Sequence, residues 1–420
     1  MTDNYFIGIN GIFHDTAVVV LSLKKNEPII ICSEDRHSGI PHHSGFPYMS
    51  LCKVLEKIDK KKVKAVGISY DKMQYRYPPK DFFYDVIDIK NIKKFNKDFE
   101  KIFIRLEKNY PKISFLKKDV SKILKWSLKS NEAILSFKIK INYCFLMYIK
   151  LQFVENKIKE ILPKITIKSF VHHLTHAATY YASSFKKAAV ITWDGQGEFD
   201  TTVLWSANKE SITRISTVTF PNSLGKFYEL FSVYLGFNRV SGPGKTMGLS
   251  AYGDDRFSQI ANKLILSSSN SFDFKLNPKY FKVSKTDYLD FTNEFKKKIG
   301  KPRLINTPIK DYHKSIAKMA QQAIEKTAVH LVKFAIKKIG TKNIVLSGGL
   351  ALNCVLNEVI REKTGAKCFL LPACSDDGSA LGAATLLRYI YKTKSKKYKN
   401  LRIKYNNSYG LKNKRRDIFE

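Results

Sequence analysis

One pattern occurs twice in this chain, and it restricts the fold more than any single motif does. Near the N-terminus, YFIGIN, the turn GIFHD, TAVVVLSL, the turn KKNE and PIIICS read as three strands joined by tight polar turns. From Ala188 the same order returns as AAVITW, DGQGEFD, TTVLWS, ANKE and SITRISTVTF. In both copies the first turn carries an acid and a glycine.

Strands alternating with helical stretches follow each meander: KAVGISY and SFVHH in the first half, NIVLSGG and KCFLLPA in the second. Before NIVLSGG, the residues Ile316, Ala320, Ala323, Thr327, Leu331, Phe334 and Ala335 recur at helical spacing, with Gly340 beyond them as a stop. The expectation is an α/β protein of two lobes, each a three-stranded meander plus βα units, with a cleft between them. That duplicated plan resembles the two-lobed actin-like and sugar-kinase-like (ASKHA) fold, in which the first hairpin of each lobe approaches nucleotide phosphates through backbone N–H groups. Residues 1–185 form the first lobe on this reading and 186–395 the second. The stretch 98–163 is lysine-rich, has no glycine and keeps a helical period, so it reads as a helical insertion. Residues 396–420 read as a basic tail.

A chain of 420 residues, 44% apolar, can fill two such lobes. Its 73 lysines and arginines against 37 acids give a formal charge of +36, a field that draws polyanions. The lysines are spread along the whole chain rather than interleaved with aromatics in one block, so solvated faces account for them and a nucleic-acid partner is not expected. Six cysteines form no CxxC pair and no signal peptide precedes Tyr5, which points to a reduced, cytoplasmic protein. INYCFLMYI, between Lys140 and Lys150, is too short to cross a bilayer and reads as the buried face of a helix, so no membrane partner is expected either.

The chemistry concentrates in a few stretches. VHHLTHAA holds three of the nine histidines. If a helix opens there, His172 and His176 stand at i and i+4 on one face and His173 turns away. Such a pair suits two imidazole ligands of one metal, and it also suits hydrogen-bonded core histidines. In CSDDGSALGAA, Asp376 and Asp377 follow a strand and open a small-residue helix, where an acid faces a cleft or caps the helix. LSGGLALNC puts Gly348 and Gly349 at a strand-to-helix turn that fits either a nucleotide or a plain left-handed turn, with Asn353 one helical turn on. GPGKTMGLSAYG reads as a mobile glycine loop or as a phosphate contact through Lys245, without Walker A spacing.

Taken together and in order, GIFHDTAVVV, HHLTHAA, WDGQGE, GKTMGLSAYG, LSGGLALNCVLN and CSDDGSALGAA resemble the O-carbamoyltransferase family of nodulation protein U and cephalosporin carbamoyltransferase, from about Tyr5 to about Ala384. The resemblance implies a fold similar to the tRNA threonylcarbamoyladenosine transferases. It implies transfer of a carbamoyl group from carbamoyl-adenylate, made from ATP and carbamoyl phosphate, to a hydroxyl of a saccharide or small-molecule acceptor. It also implies a ferrous or other divalent ion on His172, His176 and Asp376, and His14 at the acceptor with Asp15 beside it. On the same basis Asp194, Gly195 and Gly197, with Lys245, Gly348, Gly349 and Asn353, fall on the nucleotide side.

Two departures stand out. Where the family has a stretch of the form EERFxRxKHD, this chain has EDRHSGIPHH: Arg36 is kept, Gly39 and Pro41 replace basic residues, and His42 or His43 are candidate substitutes. Family members usually carry a second, YrdC-like domain that makes the adenylate. That domain is expected to be absent here and supplied by a separate chain. The alternatives are a tRNA-binding or tRNA-modifying subunit of the threonylcarbamoyl type, and a non-catalytic nucleotide-binding relative.

Overall fold

Each meander folds as its apolar runs dictate. The computed structural model describes residues 3–25, 27–78, 82, 101, 103–104, 131–268, 270–284 and 289–394. In the first half, β1 (Tyr5–Asn10), β2 (Ala17–Ser22) and β3 (Pro28–Ser33) pair antiparallel, and β4 (Val63–Ile68) and β5 (Thr166–Ser169) add in parallel, giving the order β3-β2-β1-β4-β5. The unbroken apolar runs of β1 and β2 are buried because both faces of the sheet are covered, whereas the edge strand β3 alternates. Helices α1 (Tyr48–Lys57) and α2 (Asn131–Ile161) cover the outer face: Leu51, Val54, Cys144, Leu151 and Ile158 pack against Ile7, Val18 and Val66. A short helix, α3 (His172–Ala177), follows β5.

The second half repeats the plan. Strands β6 (Lys187–Gly197), β7 (Asp200–Asn208) and β8 (Ile212–Thr219) form the meander, followed by α4 (Leu224–Tyr234) and α5 (Gly242–Ser250). Two small ribbons, β9 (Ile265–Ser267) with β10 (Phe274–Leu276) and β11 (Phe281–Val283) with β12 (Leu289–Phe291), precede α6 (Asn293–Ile299) and the long α7 (Asp311–Ile339). Helix α7 stops at Gly340, whose φ of 71° is the left-handed cap its glycine permits. Then come β13 (Asn343–Ser347), α8 (Cys354–Thr364), β14 (Lys367–Leu370) and α9 (Asp376–Lys394). The sheet order β14-β13-β6-β7-β8 is that of the first sheet, strand for strand.

The lobes share one inner layer. Helices α3 and α9 lie between the sheets, where Ala177, Ala383 and Leu387 meet Phe6 and Ala65 on one side and Val190, Val203 and Val345 on the other. The contact is backbone-close: a Cβ at Gly8 would lie 1.9 Å from the Ala380 carbonyl oxygen, and one at Gly382 would lie 1.9 Å from that of Thr175. Helix α9, in the second half by sequence, also covers the first sheet.

Two further readings meet the structure. INYCFLMYI does bury one helical face, with Ile141 and Cys144 inside and Leu146 outside. Among the described residues no helix is long and apolar enough to cross a membrane. The 98–163 stretch contributes the core helix α2; residues 98–130, apart from 101, 103 and 104, lie outside the described residues, as does the 396–420 tail. GPGKTMGLSAYG is not a loop: residues 242–250 are the helix α5, started by Pro243 in the first turn, with Gly244 and Gly248 facing open space.

Candidate metal centre and acceptor face

Strand β5 ends at Ser169, and Val171 keeps an extended ψ of 133° before α3 turns in at His172. The buried Glu198 carboxylate caps that start, accepting from the backbone N–H of His172 at 3.1 and 3.2 Å and of Asp71 at 2.9 Å. His172 and His176 thus project from one face, and their Nε2 atoms stand 3.0 Å apart with both rings fully buried. Asp194 Oδ2, from β6, lies 3.1 and 3.4 Å from them, and Asp376 Oδ1, from the start of α9, 3.4 and 3.6 Å. One ligand atom from each of the four residues falls within 4.8 Å of the others.

The donor chemistry fits a cation. His172 Nδ1 faces the Ser69 carbonyl at 3.3 Å, so that nitrogen keeps a proton, and Nε2 is the one that would offer a lone pair to a cation displacing its own proton. Asp376 Oδ1 is buried without a hydrogen-bond partner. Asp194 Oδ1 accepts from the N–H of Gly195 at 2.7 Å and of Gly349 at 3.4 Å, which aims Oδ2 inward. Burial disfavours charge on His172, yet the Asp376 and Asp194 carboxylates outweigh it and push the imidazole up to about 10. Burial disfavours charge on the two carboxyls as well, and the histidines outweigh it and hold both below the usual range. Two imidazoles with two carboxylates suit a divalent transition ion better than an all-oxygen calcium or magnesium site.

Asp194, expected beside the nucleotide, is therefore the fourth member of this cluster. The register shift in the β6–β7 pairing between Trp193 and Gly197 turns it inward, a bulge that spacing does not announce. Gly197 is likewise a packing glycine: a Cβ there would sit 2.5 Å from His172 Cδ2. His173 turns away as expected, to Thr192 Oγ1 at 2.9 Å and the Asp200 carbonyl at 3.1 Å. Burial, together with the neighbouring His172, lowers it to about 3 and keeps it neutral.

The first hairpin turn adjoins the centre through ring contacts, Phe13 tilted against Tyr70 at 5.0 Å and Tyr70 stacked on His172 at 4.2 Å. Within that turn Asp15 bridges two histidines: His14 Nδ1 lies 2.8 Å from Oδ2 and His42 Nδ1 2.8 Å from Oδ1. Asp15 and His42 both take left-handed backbone, φ 56° and 55°, a strained choice for residues with a Cβ. Burial works against charge on His14, but the Asp15 hydrogen bond and the fields of Asp376 and Asp194 outweigh it, raising His14 to about 9. Of the two candidate substitutes in the divergent loop, His42 thus joins His14, while His43 bonds Thr16 Oγ1 at 3.1 Å. Arg36 points to solvent.

On the second-lobe side, Gly348 has φ 97°, and a Cβ there would lie 2.3 Å from the Trp193 carbonyl oxygen, so the tight turn needs glycine whatever it binds. Asn353 is the N-cap of α8, accepting from Leu356 N at 2.9 Å while its amide nitrogen donates to Gln321. Lys245 is exposed on α5, the helix whose Met247 touches Cys354 at 3.8 Å beside that cap.

The Carbamoyltransferase N-terminus family matches residues 5–385. The chain belongs to that family. Among relatives of this carbamoyltransferase-family chain, protein sll1178 of Synechocystis sp. is 36% identical over 224 residues, 52% of this chain and 36% of that protein. Nodulation protein NolNO of Sinorhizobium fredii is 29% identical over 227 residues, 52% of this chain and 31% of that protein. The aligned part is thus about a third of the length of either relative. Among solved structures, T. kodakarensis HypF is similar at TM-score 0.43 and 12% identity, over 93% of this chain and 48% of that one.

Proposed function

We propose that this protein transfers a carbamoyl group from carbamoyl-adenylate to a hydroxyl of a saccharide or small-molecule acceptor. The observation that carries the reading is the adjacency of an Asp15-anchored imidazole and a buried His/Asp cation centre, joined by the ring contacts Phe13–Tyr70 and Tyr70–His172. His14 donates its Nδ1–H to the Asp15 carboxylate, and in the neutral form of the ring Nε2 receives the acceptor's hydroxyl proton. The hydroxyl oxygen forms a bond to the carbamoyl carbon; the bond from that carbon to the phosphate oxygen breaks, and AMP leaves with the electron pair. A divalent ion, iron by the family resemblance, would be held by His172, His176, Asp194 and Asp376 and would supply positive charge against the adenylate.

The amides around Gly348 and Gly349, with Lys245 on α5, are the proposed nucleotide contacts, and Gly195 and Asn353 support them by holding Asp194 and the start of α8. The adenylate is proposed to come from ATP and carbamoyl phosphate through a YrdC-like unit, and the setting to be the cytoplasm. The proposed division is residues 1–185 as the first lobe and 186–395 as the second.

The test uses cation-loaded protein, synthetic carbamoyl-adenylate and a panel of sugars, reading AMP release and carbamoyl label. Wild type should bind a stable adenylate analogue and release AMP only with an acceptor; failure of both binding and release would reject the reading in favour of a non-catalytic relative. Pyrophosphate release from ATP and carbamoyl phosphate by these 420 residues alone would remove the need for a YrdC-like unit.

A further inference from the structure

The loop between α6 and α7 holds large apolar side chains out in solvent. Leu304 is 72% exposed and Ile305 75%, with Ile309 at 43% and Val240, on the neighbouring loop, at 41%. Single exposed aliphatics are ordinary; two adjacent ones at a loop tip, with two more beside them, are not.

The loop is fixed in this posture. The Arg303 guanidinium donates to the carbonyls of Leu235 at 2.5 Å and Gly236 at 3.3 Å, and also to those of Leu304 at 3.4 Å and Thr307 at 2.5 Å. Its own N–H donates to the Tyr234 carbonyl at 2.9 Å, and the Tyr234 hydroxyl donates to the Gly300 carbonyl. Those contacts fix the 300–310 loop against residues 234–236, the segment that leads on to Val240. A segment stapled at its base cannot fold its tip back onto the protein, and it needs little ordering when a partner takes it.

Charge names the partner. From Lys296 to Lys314 there are seven lysines and arginines and one acid, against 73 and 37 in the whole chain, so this segment is far more one-signed than the rest. The acid, Asp311, is paired with Lys314, while Lys297, Lys301 and Lys310 are exposed around the tip. A basic collar below an aliphatic tip is the pattern of a segment that enters an anionic bilayer, headgroups meeting lysines and hydrocarbon meeting Leu and Ile. A nucleic-acid surface would instead set free aromatic or arginine planes among its lysines, whereas here the Arg303 guanidinium is taken up by backbone carbonyls and Tyr312 is half-buried.

We propose that the 300–310 loop docks the protein on anionic phospholipid, with Leu304 and Ile305 entering the hydrocarbon boundary. The proposal stands independently of the carbamoyl-transfer reading. Full-length protein is sedimented at physiological salt with vesicles of phosphatidylcholine alone or with about one-third phosphatidylglycerol. Wild type should sediment with the anionic vesicles only. The double variant Leu304→Ser with Ile305→Ser, unchanged in charge, should bind about tenfold or more weakly, and the emission of an I305W variant should shift to the blue on vesicle addition. Serine variants that bind as well as wild type would reduce the effect to surface charge and overturn the proposal. So would wild type left in the supernatant, including the case in which it retains an acidic protein instead.

Discussion

Gly197→Ala is the sharpest single test of the metal centre, because the glycine touches the ligand helix rather than the ligands' functional atoms. The added Cβ would stand 2.5 Å from His172 Cδ2, 2.9 Å from His173 Cδ2 and 3.0 Å from His172 Cβ. Ordinary contact begins near 3.4 Å, so the start of α3 must retreat by about 1 Å. Neither neighbour gives easily: His173 is tied to Thr192 and Asp200, and His172 is held at its backbone by Glu198. Overpacking of this kind costs about 1–3 kcal/mol of stability, and a ligand displaced by that distance weakens cation binding by about ten- to a hundredfold. The matched control is Gly195→Ala, whose Cβ would meet only the Lys226 side-chain tip at 3.4 Å. Urea unfolding and cation titration followed by isothermal calorimetry would be run on both variants. If Gly197→Ala bound the ion and unfolded like wild type, the approach of the β6–β7 hairpin to His172 would be wrong, and with it the geometry assigned to the centre.

Asp376→Asn removes the charge facing both Nε2 atoms, and bound metal measured by elemental analysis should drop at least about tenfold; unchanged content would strike Asp376 from the ligand set. In cation-free protein, His172 at about 10 and His14 at about 9 lie above their unfolded value near 6.5, so the stability they lend is complete below about pH 6.5 and is lost as pH rises through 9 and 10. Melting temperature in chelator should therefore fall from pH 7 to 10, and a flat profile would contradict the protonated cluster. His14→Gln should abolish acceptor-dependent AMP release while sparing adenylate-analogue binding, and transfer surviving that change would end its role as base. His42→Gln, by freeing one oxygen of Asp15, should shift the ¹⁵N resonances of the His14 ring; an unmoved His14 would show that the shared carboxylate does not form.

The duplicated meander was legible because its turns are short and its strands are unbroken apolar runs, and the two sheets have one order. The His172/His176 pair was legible because α-helical spacing alone sets it. Asp194 was misplaced because its direction comes from a register shift near Gly197 and from the amides of Gly195 and Gly349, the latter more than 150 residues away in sequence. The helix at residues 242–250 was missed since its glycines argue against one; Pro243 and the contact of Gly242 with Phe237 override that propensity. His42 needed two left-handed residues facing each other across 27 positions, which no local pattern records.

The helix that fills the inner face of the first sheet is also the last described element, and this has a consequence for how the protein is made. Every strand of that sheet has been synthesised by Ser169, while α9 starts at Asp376. At ribosomal speed the gap of roughly two hundred residues lasts on the order of ten to forty seconds. During that time Ala17, Val19 and Leu21 lack Ala380, Leu381 and Ala384, against which they pack in the finished protein. Until α9 is made, the first half carries an apolar sheet face that its own later residues will cover, so that face needs other shielding during synthesis.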